Sequence, residues 1–186
     1  NKNMFLKIII ASMPIGIIGF FLIKYEMISN LRTLEIMGWA TIVFGILLYI
    51  SDKFQLNQNI QNNFNIKNAV IIGCFQILAL IPGASRSGIT ITGARFLKFN
   101  RIDSAKISFL LSIPALGFWS VYGFYDMIKQ NDELLNISAI LTTFLSFVFS
   151  YLTIKYFLVY LKKFNLNIFV FYRLILGILL LLVTYL

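Results

Sequence analysis

Long apolar runs separated by short polar segments restrict the fold of this chain more than any other feature. Runs of about 20 residues lie at 4–23, 107–125, 136–161 and 168–186, and a shorter run lies at 36–50. About 20 apolar residues are enough for a helix to cross a bilayer. Only 12% of the residues are charged, against about 25% in soluble domains. The sequence therefore predicts an all-α polytopic membrane protein, a helical bundle with one transmembrane domain over 1–186.

The charged and reactive residues exclude several classes of function. The net charge of +9 comes from 16 Lys and Arg against 7 Asp and Glu. In a membrane protein, basic residues mark cytoplasmic loops and contact anionic lipid headgroups, so membrane lipids and not nucleic acid are the expected partners. The sequence has no histidine, and Cys74 is its single cysteine. A histidine base, a histidine-ligated metal and an intrachain disulfide are therefore excluded within these residues.

A short turn with one arginine interrupts the apolar pattern. Residues 82–90 read PGASRSGIT and lie between the apolar stretches 69–81 and 89–97. An arginine at the depth of an apolar segment is costly unless it pairs or lines a wet cavity, so Arg86 is a functional-site candidate. Its planar guanidinium can donate to two phosphate oxygens at once. We interpret the turn as a phosphate-binding site. The alternative, snorkelling of Arg86 to the interface, would not explain why hydroxyl residues and glycines surround it.

The neighbours of Arg86 suit the same role. They include three hydroxyl residues and two glycines: Ser85, Ser87, Thr90, Gly83 and Gly88. The hydroxyls can donate to phosphate or cap a helix, and the glycines permit close backbone approach and unusual dihedral angles. A helix beginning near Ser87 would add free N–H groups and the positive end of its dipole. Gln76, in the apolar run before the turn, either hydrogen-bonds the turn or packs between helices.

The runs on either side of the turn, 68–82 and 89–97, are too short to cross a bilayer and predict a re-entrant hairpin over 68–97. With a hairpin, nine basic residues fall on one side of the membrane and three on the other; with a single crossing, the division is seven against five. The nine are Lys2, Lys7, Lys53, Lys67, Lys98, Arg101, Lys106, Lys162 and Lys163. The positive-inside rule favours the hairpin, with the loops around Gln58 and Asn100 both in the cytoplasm. Irregular backbone at membrane depth also predicts a water-filled pocket that reaches the turn.

Three further charged residues are interpreted as having no role in binding or catalysis. Arg173 lies five residues into the last apolar run, where snorkelling to the cytoplasmic headgroups is the expected role. Asp52 and Asp103, each near a lysine, are interpreted as solvated helix ends rather than ligands.

The turn and its flanks resemble a known family. Residues 73–90, GCFQILALIPGASRSGIT, resemble the second signature of undecaprenyl-diphosphate phosphatases, the bacitracin-resistance type of lipid pyrophosphatase. The segments AKISFLLSIPA at 105–115 and FYRLILG at 171–177 are also similar to that family. The resemblance implies a hydrolase that removes the terminal phosphate of undecaprenyl diphosphate, recycling the lipid carrier for peptidoglycan synthesis. It also implies a bacterial cytoplasmic (inner) membrane location, with the site open to the periplasmic side.

The resemblance extends to fold and cofactor. It implies the C-terminal two-thirds of an inverted-repeat helical bundle with two re-entrant hairpins, and leaves a homodimer open. The family's first signature, with two glutamates, a serine-rich turn and a histidine, is expected before Asn1. Those glutamates would hold a divalent cation, Mg²⁺ or Ca²⁺, and no metal ligand is assigned within this chain. Residues 1–186 alone are therefore expected to hydrolyse the substrate poorly.

The family's functional residues carry over to matching positions of the turn. By resemblance, Arg86 clamps the pyrophosphate of a polyprenyl diphosphate, and Ser85, Ser87 and Thr90 hydrogen-bond it or its transition state. The remaining substrate-binding positions are Gly83, Gly88 and Gln76. Broken helices around a polar midplane site also hold anions in secondary transporters. A prenyl-phosphate transporter or flippase, or an inactive binding protein, is therefore the alternative.

Overall fold

The computed structural model describes residues 2–25, 31–54, 58–130 and 133–186. Its helices are α1 (Lys2–Lys24), α2 (Leu34–Asp52), α3 (Ile60–Asn63), α4 (Ile66–Ile77), α5 (Arg86–Phe96), α6 (Arg101–Gln130), α7 (Glu133–Lys163) and α8 (Asn167–Tyr185). A 3₁₀ turn, Leu78–Leu80, follows α4. Within the described ranges no extended strand forms beyond one isolated bridge, which confirms the all-α prediction.

Four helices of the described part are long and apolar enough to cross a membrane. Their spans are Met4–Leu22, Leu34–Asp52, Ser138–Lys163 and Asn167–Tyr185. They coincide with four of the predicted runs, so the multi-pass prediction is confirmed by length and composition. The remaining run, 107–125, is helical within α6.

Glycines allow α2 and α8 to pack closely against each other. A Cβ atom on Gly177 would lie 2.5 Å from Cγ1 of Ile42 and 3.0 Å from the carbonyl oxygen of Gly38. A Cβ on Gly45 would lie 3.4 Å from the Cβ of Arg173. Small residues let transmembrane helices approach until their backbones are in contact. The close packing brings the Arg173 side chain towards the interior of the bundle.

Helices α4 and α5 form a short-helix pair joined by the turn at 81–85, and they pack on each other and on α1 and α2. A bridge between Gln58 and Phe99 connects the two ends of segment 58–100, which contains this pair. We call these the joined ends of the short-helix pair. The Gln58 N–H donates to the Lys98 carbonyl (3.1 Å), and the Asn100 N–H donates to the Gln58 carbonyl (3.2 Å). The ends therefore lie side by side, as a hairpin requires. Entry of the pair into the bilayer from one face stays a prediction.

The turn lies deep along α2, far from those joined ends. The Thr41 hydroxyl, near the middle of α2, donates to the Gly83 carbonyl (3.2 Å). Each helical residue rises 1.5 Å, so Thr41 is about 16 Å along α2 from Asp52. The turn and the joined ends are thus at opposite ends of the short-helix pair.

Asp52 and Asp103 are buried, so the prediction that they are solvated is wrong. The Asp52 carboxylate forms ion pairs with Nη2 of Arg95 (2.9 Å) and Nε of Arg101 (2.8 Å), and Nη2 of Arg95 also donates to the Asp52 backbone carbonyl (2.8 Å). The carboxylate also accepts from the Leu166 N–H (3.1 Å), at the start of α8. Oδ2 of Asp103 accepts from the Ile60 N–H (3.0 Å) and from Nδ2 of Asn100 (2.9 Å). Four chain segments converge here, so these carboxylates face donors and not water.

Candidate functional site

The turn before α5 has an unusual backbone. Gly83 has φ 88° and Ser85 has φ 62° with ψ 110°. Positive φ is open to glycine but uncommon and strained for serine. A side chain at Gly83 would collide with the Met37 carbonyl and lie 2.9 Å from the Thr41 hydroxyl. Both expectations for Gly83, the unusual dihedral and the close approach, are confirmed.

Helix α5 begins at Arg86, one residue before the expected start near Ser87. Ser85 is the N-cap, and its Oγ accepts from the Gly88 N–H (3.3 Å). The hydroxyls of Ser85 and Ser87 are 3.4 Å apart, and both residues are exposed. Ser85 therefore caps the helix while its O–H stays available as a donor.

Arg173 holds the turn from α8. Its Nη2 donates to the carbonyls of Gly83 (2.9 Å) and Ala84 (2.7 Å), and the residue is buried. The prediction that Arg173 snorkels to the headgroups is wrong, because the close α2–α8 packing directs it to these inward-facing carbonyls. Gly88 makes room for it, since a Cβ there would lie 2.6 Å from Nη1 of Arg173.

Two guanidinium groups at this turn keep unused donors. Nη1 of Arg86 and Nη1 of Arg173 are buried, and neither has a hydrogen-bond partner among the described residues. In the same part of the chain, the ion pairs involve Arg95, Arg101 and Lys106 but neither of these two arginines. A buried guanidinium without a counter-charge is costly. Each of these arginines therefore has an Nη1 donor that remains available to an anion.

A cavity of about 610 Å³ opens at the turn. Its polar end is formed by Gly83, Ser85, Ser87, Gly88 and Arg173, and most of its remaining wall is apolar. The apolar wall includes Phe109, Ile154, Phe157, Phe169, Leu176 and Leu180. Such a cavity suits an amphiphile, with an anionic group at the turn and a hydrocarbon chain along α7 and α8.

The other predicted site residues flank this cavity without lining it. Thr90 is buried, and its Oγ1 lies 2.6 Å from Oγ of Ser108 on α6. Gln76 is fully buried, and its amide has no partner in the described residues. Arg86 comes directly before Ser87 and Gly88 in the sequence, but unlike them it does not line the cavity.

Sequence reasoning missed the roles of Arg173 and Ser108. The signal for Arg173 was the one that marked Arg86, an arginine within an apolar run and without an acidic neighbour. Ser108 gave only a weak signal, a serine in the similar segment 105–115. No periodicity could show that either residue reaches the turn, because those contacts span distant parts of the chain.

The residues at the cavity do not fit a divalent cation. Across the described ranges, no three His, Cys, Asp or Glu side chains are grouped as metal ligands would be. The cavity wall contains hydroxyls and a guanidinium but neither Asp nor Glu. Mg²⁺ and Ca²⁺ prefer carboxylate oxygens. The divalent cation stays a prediction, and its ligands are expected from the glutamates of the first signature and not from these residues.

Comparison with known proteins gives matches over nearly the whole chain. The family model for bacitracin resistance protein BacA matches residues 1–179. An undecaprenyl-diphosphatase of Pelagibacter ubique (strain HTCC1062) is 47% identical over 186 residues, which cover 100% of this chain and 72% of the relative. One from Jannaschia sp. (strain CCS1) is 34% identical over 96% of this chain and 67% of the relative. One from Elusimicrobium minutum (strain Pei191) is 39% identical over 92% of this chain and 64% of the relative.

Proposed function

The chain belongs to the bacitracin resistance protein BacA family, and from this premise we propose that it acts as a membrane lipid pyrophosphatase. The substrate is undecaprenyl diphosphate, and the products are undecaprenyl phosphate and inorganic phosphate. Water supplies the oxygen that joins the terminal phosphorus, and the bridging oxygen leaves with the lipid phosphate. The reaction returns the lipid carrier to peptidoglycan synthesis in the bacterial cytoplasmic membrane.

One observation carries this proposal: Arg86 in the turn and Arg173 beside it each have a buried Nη1 without a partner among the described residues, and the turn forms the polar end of an apolar cavity. A diphosphate would supply the missing negative charge, and a prenyl chain would occupy the apolar remainder. Phosphoryl transfer depends mainly on positioning and on neutralising the equatorial oxygens.

Each group at the turn has a role in this proposal. Nη1 of Arg173 and the guanidinium of Arg86 are the cationic donors, while Ser85 and Ser87 donate hydroxyl hydrogens. Gly83 and Gly88 keep the backbone and Arg173 close enough to share one phosphate. Thr90 and Gln76 do not line the cavity, and in this proposal they position the turn.

We also propose that the cavity opens towards the outer side of the membrane. The joined ends of the short-helix pair carry basic residues typical of cytoplasmic loops. Along α2 the cavity wall includes Leu48, near Asp52, as well as Met37, and its polar residue Gly83 lies beside Thr41, about 16 Å along α2 from Asp52. The substrate headgroup would therefore enter from the side opposite the basic loops.

The experiment measures inorganic phosphate released from farnesyl or undecaprenyl diphosphate by the purified full-length protein in detergent. Arg86→Lys keeps the charge but loses the bidentate fork, so turnover should fall roughly 10- to 100-fold, the effect of one charged hydrogen bond. Arg32→Lys, at an exposed arginine, is the matched control and should stay near normal. Near-normal turnover by Arg86→Lys would remove Arg86 from the site. Substrate binding by the unchanged protein without phosphate release would instead support transport.

A further inference from the structure

A second cavity, of about 580 Å³, lies at the joined ends of the short-helix pair. It is separate from the phosphate-binding turn, which lies deeper along α2. Five basic residues contribute to its wall: Lys53, Arg95, Arg101, Lys106 and Lys162. Asp52 and Asp103 are its two acidic residues. The cavity therefore has an excess of positive charge.

The two carboxylates are already engaged within the protein. Asp52 is shared by the guanidinium groups of Arg95 and Arg101, so one carboxylate faces two cations. Asp103 accepts from a backbone N–H and an amide, and Lys106 approaches it only to 3.5 Å. Lys53 and Lys162 are exposed and have no ion-pair partner among the described residues. The positive charge without a carboxylate partner is thus at the rim of the cavity, where Nζ of Lys53 lies 4.4 Å from the centroid of the Tyr49 ring. The paired arginines lie below it.

The depth of this cavity indicates which anion it binds. Asp52 ends the candidate span Leu34–Asp52, and Lys162 lies at the end of the span Ser138–Lys163. The cavity is therefore level with the boundary between the hydrocarbon and the headgroups. Apolar side chains complete its wall, among them Phe54, which is 51% exposed, and Leu161. Basic pockets between helices on the cytoplasmic side bind anionic headgroups.

We propose that this cavity binds the phosphodiester headgroup of an anionic phospholipid, with the acyl chains beginning beside Phe54. The rim lysines Lys53 and Lys162 neutralise the phosphodiester. A bound lipid connects the end of α2, the start of α6 and the end of α7. The proposal rests on the second cavity alone and does not depend on the hydrolytic activity.

The test is native mass spectrometry of the full-length protein in detergent, titrated with dioleoyl phosphatidylglycerol. The variant Lys53→Gln with Lys162→Gln removes two rim charges. The control, Lys67→Gln with Lys163→Gln, removes two exposed basic residues that do not line the cavity. At about 1 kcal/mol per lysine near anionic lipid, the first pair should weaken binding of the first lipid roughly 10- to 30-fold. The control pair should weaken it by less than about twofold.

Two further arms identify the source of the phosphate. Dioleoyl phosphatidylcholine, whose headgroup has no net charge, should bind the unchanged protein at least about tenfold more weakly. Millimolar inorganic phosphate should not displace phosphatidylglycerol. Equal losses in both lysine pairs would mean that diffuse surface charge holds the lipid, and displacement by inorganic phosphate would mean that the cavity takes the free anion. Either result overturns the proposal.

Discussion

Arg173 reaches the turn from α8, 90 residues further along the chain than Gly83. Hydrogen bonds from a charged group are worth about 1.5–3 kcal/mol each, more than those between neutral groups. Two such bonds fix the carbonyls of Gly83 and Ala84, next to Ser85 with its strained φ. Arg173 therefore stabilises a backbone shape that serine would not adopt by itself, and it also adds charge to the cavity.

Arg173→Lys tests that double role. A lysine keeps the charge, but its single ammonium cannot reproduce the guanidinium contacts, so the free energy of unfolding should fall by about 1.5–3 kcal/mol. Phosphate release should fall with it. Thermal and detergent-denaturation curves, measured beside Arg32→Lys, check the stability. Denaturation midpoints equal to those of Arg32→Lys would mean that the conformation of the turn does not depend on Arg173.

The Thr90–Ser108 hydroxyl pair gives a second test at this scale. At 2.6 Å and buried, the pair should show an interaction energy of about 0.5–1.5 kcal/mol in a double-mutant cycle of Thr90→Val and Ser108→Ala. Turnover should fall for both single variants and further for Thr90→Val, because Oγ1 of Thr90 also donates to the Arg86 carbonyl (2.9 Å). Loss of turnover in Thr90→Val alone would instead mean that the Ser108 contact does not position the turn.

At the scale of elements, the contact between α2 and α8 sets the geometry of the site. Both helices touch the turn, α2 through Thr41 and α8 through Arg173, and both hydrogen-bond the Gly83 carbonyl. Their spacing depends on Gly38 and Gly177, where side chains would not fit. The distance between these two helices therefore decides whether Arg173 reaches its carbonyls.

Gly177→Ala should separate the two helices. The added Cβ would meet Ile42 at 2.5 Å, and overpacking of this kind typically costs about 1–3 kcal/mol. Gly117→Ala is the matched control, because Gly117 is exposed with nothing within 4 Å of its Cβ position. The thermal midpoint should drop for Gly177→Ala and stay constant or rise for Gly117→Ala. Equal thermal midpoints would show that α2 and α8 can accommodate the added methyl group without loss of stability.

At the scale of the whole molecule, the joined ends of the short-helix pair bear on membrane topology. Gln58 and Asn100 are hydrogen-bonded neighbours, so their loops lie at one end of the protein. With the nine-to-three division of basic residues, we expect that end to be cytoplasmic. The end near Tyr25, between α1 and α2, is then on the outer side.

Cysteine labelling checks this topology. In a Cys74→Ala background, Gln61→Cys and Lys98→Cys place exposed thiols in the two loops, and Tyr25→Cys places one at the opposite end. An impermeant thiol reagent should label Tyr25→Cys in spheroplasts, and the other two only after permeabilisation. Labelling of one loop position but not the other before permeabilisation would contradict the hairpin.

The sequence predicted the apolar spans and the turn because both are local patterns. Helix length can be read from consecutive apolar residues, and the glycines and hydroxyls of the turn lie within nine positions of each other. Arg173 and Asp52 were misinterpreted because their partners are distant in sequence. Each looked like an ordinary charge near a helix end, and only tertiary packing shows that Arg173 faces carbonyls and Asp52 faces two guanidinium groups.

The wall of the first cavity has a kinetic consequence. Ile154 and Leu176 line it and are also more than a third exposed, on helices long enough to lie in lipid. A lipid substrate can therefore arrive sideways within the bilayer plane, in a two-dimensional search. The encounter rate then follows the mole fraction of substrate in the micelle and not its bulk concentration. Adding detergent at fixed substrate should slow phosphate release through surface dilution, whereas an unchanged rate would indicate entry from the aqueous phase.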